Sequence, residues 1–385
     1  MNKKIYNSLL LLFFWLICLL IPVFIYFLGW SEFWRFVFIH PGDVYFLDLR
    51  AIQGSIESVK EGFNPQLENP YDPKERAMLY PFLWHYLAKF LKLEIEINYI
   101  IFCLSIIFLY LTSCYKILRN IKSLYVLLAI FSSASLLAIE RANVDILIFS
   151  ILYWSAHLPI FYISVFIFIA SALKFYPIAA TLALLRFKKT FVFLFLSCLT
   201  IIIVTIIRED VVSFGHLNKF YGQAYGSPII SAAIFDQLNL KINDKLISLI
   251  LVFFSTILVF VKSLDFNISE KISSTNKNLF YFGSAIFCST FLLNGNWDYR
   301  LIFCIMCIPC MALQKNKLVL YTFVILLITS LNQPVLVFLF GTLGVLINLM
   351  CKTALFIFML SILGKAILFE TRLMFKSNSN LESSN

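Results

Sequence analysis

"KKIYNSLLLLFFWLICLLIPVFIYFLG", residues 3–29, decides the class of this chain. Two lysines precede an uncharged apolar run from Ile5 to Gly29. A helix needs only about 20 apolar residues to cross a hydrocarbon core of about 30 Å, so this run is long enough. It has no small-residue cleavage site and is too long for a signal-peptide core. It therefore reads as a retained signal anchor with its N-terminus in the cytoplasm.

The rest of the chain repeats that character. Of 385 residues, 61% are hydrophobic, 14% are charged and 42 are phenylalanine. A soluble domain cannot hide so much apolar surface, so the expected fold is all-α and polytopic in a membrane. The net charge of +10 raises the question of nucleic acid. Its distribution answers no, because the basic residues form short clusters between apolar runs, as cytoplasmic loops do. Most of the nine cysteines lie inside apolar runs, and Cys304, Cys307 and Cys310 have no histidine nearby in the sequence. No metal site is expected from them.

The apolar runs give about 12 (11–13) transmembrane helices, counted by the length a bilayer needs. Residues 1–370 form one integral-membrane unit, 30–96 is its first outer loop, and 371–385 reads as a disordered tail. Alternation from a cytoplasmic N-terminus puts Lys116/Arg119/Lys122, Arg186/Lys188/Lys189, Lys262/Lys271/Lys277, Lys315/Lys317 and Lys352 on the cytoplasmic side. On this scheme 335–351 is a span, and 353–370 is either a thirteenth span or an interfacial helix. The same alternation sends 30–96, "IERANVD" (139–145), Lys174, 208–243 and "NGNWDYR" (294–300) outward. The short run 145–157 covers only about 20 Å, which sets Asp145 and Lys174 below the lipid surface in a polar recess. Ionisable groups at that depth are functional candidates.

Within the first outer loop, Leu49, Ile52, Ile56 and Val59 recur at helical spacing. They predict an amphipathic helix over 49–60 lying on the membrane surface, and 80–93 predicts a second interfacial helix. Asp48 precedes the first of these helices and fits an N-cap. Asp72, followed by Pro73 and Glu75, fits a second N-cap. A carboxylate at a helix N-terminus can also accept a proton, so Asp43 and Asp48 each have a structural and a chemical reading.

In this order, an early Asp, "GFNP" (62–65), "YP" (80–81), "ERANVDILIF" (140–149), "ALKFYP" (172–177) and "NWDYRLIF" (296–303) resemble a known family. The resemblance is to the integral-membrane glycosyltransferases of the C superfamily, particularly the family 87 polyprenyl-phosphate-mannose-dependent group and its bacterial relatives. It spans about residues 45–310, and Ala142 stands where relatives often have Gly. It implies a multi-pass enzyme of the bacterial cytoplasmic membrane with its active site facing outward. That enzyme would take a hexose or pentose from a polyprenyl phosphate and give it to an extracytoplasmic lipid or glycan acceptor. The substrate would be the lipid-phosphate-linked sugar itself, and no separate cofactor is implied. The catalytic Asp maps to Asp48 or to Asp43, with the "DLRAI" context favouring Asp48.

Such a transfer needs a base for the acceptor hydroxyl, cations for the departing phosphate and planar groups for the sugar. Asp48 or Asp43 suits the first need. Arg141, Lys174 and Arg300 suit the second, and Trp297 and Tyr299 the third, with Asp298 orienting Arg300 or a hydroxyl. Glu140, Asn143 and Asp145 either join the site or brace two helix ends. His216 and Lys219 either contact phosphate or acceptor, or belong to a solvated loop. A plainer reading of "NGNWDYR" is an aromatic anchor with an internal Asp298–Arg300 pair. The rival function is a flippase or transporter of a lipid-linked sugar, which also needs cations in a recess.

Overall fold

A computed structural model describes residues 3–186, 224–238, 240, 243–261, 266, 272–293 and 296–382. Among them the regular structure is helical, apart from one pair of two-residue strands. In chain order the helices are α1 (Lys3–Leu28), α2 (Trp30–Phe36), α3 (Leu47–Lys60), α4 (Leu83–Phe90), α5 (Glu96–Ile121), α6 (Leu124–Ile130), α7 (Ser133–Glu140), α8 (Val144–Ser155) and α9 (Ile160–Leu173). A 3₁₀ segment, Tyr176–Arg186, follows them. Next come β1 (Ala224–Tyr225), α10 (Ser227–Leu238), α11 (Asp244–Val259), α12 (Ser274–Leu293) and β2 (Asn296–Trp297). After a second 3₁₀ segment, Asp298–Cys307, the chain continues as α13 (Ile308–Ala312), α14 (Lys317–Leu331), α15 (Gln333–Phe340) and α16 (Thr342–Glu382).

Among the described residues, three helices are long and apolar enough to cross a membrane: Ile5–Leu28, Glu96–Ile121 and Thr342–Arg372. There are four if α14 and α15, bent by 77° at a short break, count as one broken span. Shorter apolar helices fill the space between them, including Leu124–Glu140, Val144–Ser155 and Ile160–Leu173. The membrane character read from composition is therefore present in the long helices.

The core gathers around α12, most of whose residues from Lys277 onward are buried, and around the buried stretch Leu301–Met311. Both 3₁₀ segments pack on α12. Gly283 permits a close approach of the second segment, because a Cβ there would lie 2.3 Å from the Phe303 carbonyl oxygen. Only a residue without a side chain lets two backbones come so near. Cys304, Cys307 and Cys310 are fully buried in this packing. Among the described residues, no group of three or more His, Cys, Asp or Glu side chains is placed to hold a metal ion.

Several expectations change. The helix at 49–60 begins at Leu47 and is packed inside the outer loop rather than laid on a surface. Asn69 donates from Nδ2 to the Ala51 carbonyl (2.9 Å), and Ser58 donates to Asn69 Oδ1 (2.7 Å). A Cβ on Gly54 would meet the Tyr71 carbonyl at 2.6 Å, so the loop closes onto α3 at that glycine. Period alone cannot say whether an apolar stripe meets lipid or protein. By contrast, α4 keeps its amphipathic reading, with Trp84, His85 and Ala88 buried and Tyr86 and Phe90 exposed.

At the other end of the chain, 335–351 is not a separate span. The helix breaks at Gly341, and α16 then runs on through Lys352 to Glu382. Lys352 is therefore an interior residue of a long helix, only 1% exposed, and not a cytoplasmic loop lysine. Lys277, near the start of α12, pairs with Glu370 of α16 at 3.4 Å. Residues 371–382 continue the helix where composition predicts a disordered tail.

Candidate functional site

Two turns in the chain bring the site together. Asn143 caps α8 by accepting from the Asp145 N–H (2.9 Å), which places Asp145 in the first turn of that helix. The carboxylate of Asp145 is fully buried. Its Oδ1 accepts from the Lys174 ammonium and from the Tyr176 hydroxyl (2.7 Å), and its Oδ2 lies 3.3 Å from Arg300 Nε. Lys174 follows the end of α9 in extended backbone, while Tyr176 and Arg300 each sit at the start of a 3₁₀ segment. One carboxylate thus gathers two cations from distant parts of the sequence. The Lys174 and Arg300 side chains keep 11% and 19% of their surface exposed, so both still face open space.

Three tyrosines surround Lys174. Its Nζ lies 5.4 Å from the Tyr80 ring centroid, 5.7 Å from Tyr176 and 6.0 Å from Tyr299. The Arg300 guanidinium lies 5.1 Å from the Tyr176 ring. These distances fit cation–π contact and supply aromatic walls with polar tips. Burial pushes the Tyr80 phenol well above its usual range, and the nearby charges of Asp48 and Asp145 add to that rise.

Asp48 sits in the first turn of α3, one residue past its start, and its neighbour Phe46 occupies the cap position in left-handed backbone. The N-cap reading of Asp48 is corrected on this point. Its carboxylate instead accepts from Asn143 Nδ2 (2.5 Å) and Arg76 Nη1 (3.4 Å), with Arg141 Nη1 at 3.9 Å. Asn143 is the joint of the site: one amide oxygen caps the helix of Asp145, and its nitrogen holds Asp48.

Asp72 is also no helix cap, since no helix follows it. Its Oδ2 accepts from the N–H groups of Lys74 and Arg76 (3.0 Å each), which closes a turn. The same carboxylate clamps the Arg76 guanidinium (Nε 2.9 Å, Nη2 2.8 Å) and aims it at Asp48 and the Leu47 carbonyl. Glu140 accepts from the Gly42 N–H (2.9 Å) and lies 2.8 Å from Arg141 Nε. It braces the turn that precedes α3.

The structure separates the two candidate aspartates. The Asp43 side chain is 72% exposed and pairs with Lys74 at the surface. The hydrogen bond from Lys74, and then its charge, hold the Asp43 carboxyl below the usual range. The expected pairing of Asp298 with Arg300 is also corrected. Asp298 is buried against Lys352 (2.6 Å), whose ammonium also donates to the Ala224 carbonyl (3.2 Å). Arg300 bonds Asn296 instead. Trp297, half-buried, pairs with Ala224 in the strand pair. His216 and Lys219 lie outside the described residues.

Beside Asp298 lies a small cleft, lined by Ile39, His40, Ser133, Leu137 and Pro334 among others. Arg141 Nη2 reaches the His40 carbonyl on its border (3.5 Å). Sequence reasoning did not single out Arg76, Tyr80, Tyr176, Asn296 or Lys352. Tyr80, Tyr176 and Asn296 were inside the quoted motifs, whereas Lys352 gave no sign of a buried role, because a lysine between apolar runs reads as a loop. No family model matches the chain, and no curated protein or solved structure matches it.

Proposed function

We propose that the protein is a membrane glycosyltransferase that moves a sugar from a polyprenyl-phosphate donor to an extracytoplasmic lipid or glycan acceptor. The observation that carries this reading is the division of charge across one connected site. At one end Lys174 and Arg300 share a single carboxylate, Asp145, leaving an excess of positive charge. At the other end stands Asp48, 14% exposed and oriented by Asn143 and Arg76. A phosphate belongs at the first end and a proton acceptor at the second.

In the proposed reaction Asp48 takes the proton of the acceptor hydroxyl, and that oxygen bonds to the anomeric carbon. The bond from that carbon to the phosphate oxygen breaks, and the phosphate leaves with the electron pair. Lys174 and Arg300 stabilise the charge that develops there. Tyr80, Tyr176 and Tyr299 surround Lys174 and would offer ring faces to the sugar beside it. The finer architecture belongs to the same proposal: about 12 (11–13) spans of the C-superfamily type, in a bacterial cytoplasmic membrane, with the site facing outward.

Asp48→Asn tests it. Asn keeps the shape and removes proton acceptance, so turnover of a labelled polyprenyl-phosphate sugar in proteoliposomes should fall at least about a hundredfold with folding intact. A fully active Asp48→Asn protein ends the proposed role of Asp48. Wild-type protein that transfers from no polyprenyl-phosphate sugar ends the enzyme reading.

One observation favours the flippase of a lipid-linked sugar. Two interrupted helices meet: α6 and α7 break at Phe131–Ser132, α14 and α15 break at Asn332, and Asn332 Oδ1 accepts from the Ser133 N–H (3.1 Å). Paired broken helices are a transporter device. Transbilayer movement of the lipid in proteoliposomes, without sugar transfer, would select this reading.

A further inference from the structure

We infer that Asp145 sets the number of negative charges the site accepts, restricting it to a monoanionic phosphodiester and excluding a dianionic phosphomonoester. The inference rests on the lipid-phosphate reading above and assigns a specificity role to a side chain that cannot touch the ligand. Asp145 has no exposed side-chain surface, so it acts only through the groups it holds. Those groups are two cations, Lys174 on one carboxylate oxygen and Arg300 on the other, both partly open. Two positive charges against one negative leave a surplus of one.

Among the described residues, the surrounding charges do not change that count. Arg76 and Arg141 are engaged by Asp48, Asp72 and Glu140, which together outnumber them. A second negative charge on the ligand would meet no free cation in this network and would face Asp48. Asp298 is neutralised by Lys352. The tyrosines around Lys174 can donate hydrogen bonds but bring no charge. A phosphodiester carries one charge, whereas a phosphomonoester above its second pKa of about 6 carries close to two. The site therefore distinguishes a lipid phosphate that bears a substituent from the bare lipid phosphate left after transfer. Asp145 is a positioning residue on this view, and it favours release of the spent carrier.

Equilibrium binding of two chemically simple probes tests the inference. Dodecyl phosphate is a dianion at pH 8, and methyl dodecyl phosphate is a monoanion with the same chain. Wild-type protein in neutral detergent should bind the diester at least about tenfold more tightly, since one unit charge a few ångströms away is worth more than that in a partly buried site. Asp145→Asn should reverse the preference toward the monoester. The double variant Asp145→Asn/Lys174→Met restores a surplus of one through Arg300 alone and should return to the diester. It also serves if the single variant does not fold.

A preference unchanged in both variants overturns the charge role and leaves the glycosyl-transfer reading standing. A wild-type protein that binds neither probe removes both. A purely structural role for Asp145 predicts weaker binding of both probes with an unchanged ratio, and that result also overturns the inference.

Discussion

Two ionic regions of this protein share the same chemistry and differ in what surrounds them. At the surface turn, Asp43 meets Lys74 with the two side chains 72% and 46% exposed. In the interior, Asp298 meets Lys352 with exposures of 7% and 1%. Water and salt screen the first pair, which therefore contributes little to stability. The second pair sits among apolar side chains, where each charge depends on the other. The interior pair also holds the Ala224 carbonyl, so it ties the strand pair carrying Asn296 and Trp297 to α16. Arg300, which bonds Asn296, is positioned through that tie. Burial converts an ion pair from decoration into part of the frame of the site.

The largest expected effect comes from breaking the interior pair on one side. Asp298→Ala leaves the Lys352 ammonium buried without its carboxylate, and the loss should be about 3–5 kcal/mol in denaturant unfolding in detergent. Asp298→Ala combined with Lys352→Met removes both charges and should recover most of that loss. If the single variant unfolds like the wild type, the interior pair is not part of the frame.

A smaller effect is expected at Ala142, which joins the two carboxylate-bearing turns and is fully buried with φ of 43°. That is left-handed backbone, which costs a residue with a Cβ about 1–2 kcal/mol relative to glycine's freedom. Ala142→Gly gains that relief and loses some through the greater entropy of its unfolded chain. The expected net is a gain of up to about 1 kcal/mol, read as a rise in melting temperature, with donor binding unchanged. A clear loss of stability would mean that the Ala142 methyl packs more usefully than its backbone is strained.

The smallest effect belongs to Asp43→Asn. The side chain is exposed and its partner is a flexible lysine, so melting temperature and turnover should both match the wild type. The sign of its pH dependence is fixed. A carboxyl held below its usual value by Lys74 adds stability above that value, and the contribution disappears as pH falls through the folded pKa. An inactive, folded Asp43→Asn protein would exchange the roles assigned to the two aspartates.

Much of the site was legible before the fold. The grouping of Lys174 with Arg300 and the interest of Asn143 and Asp145 came from polar residues interrupting apolar runs, whereas the preference for Asp48 over Asp43 came from the resemblance of the "DLRAI" context. Lipid and protein interiors tolerate such residues only with partners, so their presence announces contacts that the sequence does not name. Pairing was not legible. Asp298 and Arg300 are two residues apart, yet each bonds elsewhere, because the 3₁₀ turn between them points their side chains at different neighbours. Lys352 was misread for the complementary reason: its partner lies 54 residues away, and hydropathy registers only its charge.

By itself, the sequence determined that this is a helical membrane protein and which short stretches hold its polar groups. Those properties follow from the cost of exposing apolar surface and burying charge, which is paid locally, residue by residue. Tertiary structure alone decided that α3 is packed beneath its own loop, that Asp145 gathers Lys174, Tyr176 and Arg300, and that Lys352 faces Asp298. Each of these depends on distances between segments far apart in the chain. A one-dimensional pattern carries no information about such distances until helices pack and glycines such as Gly54 and Gly283 let backbones touch.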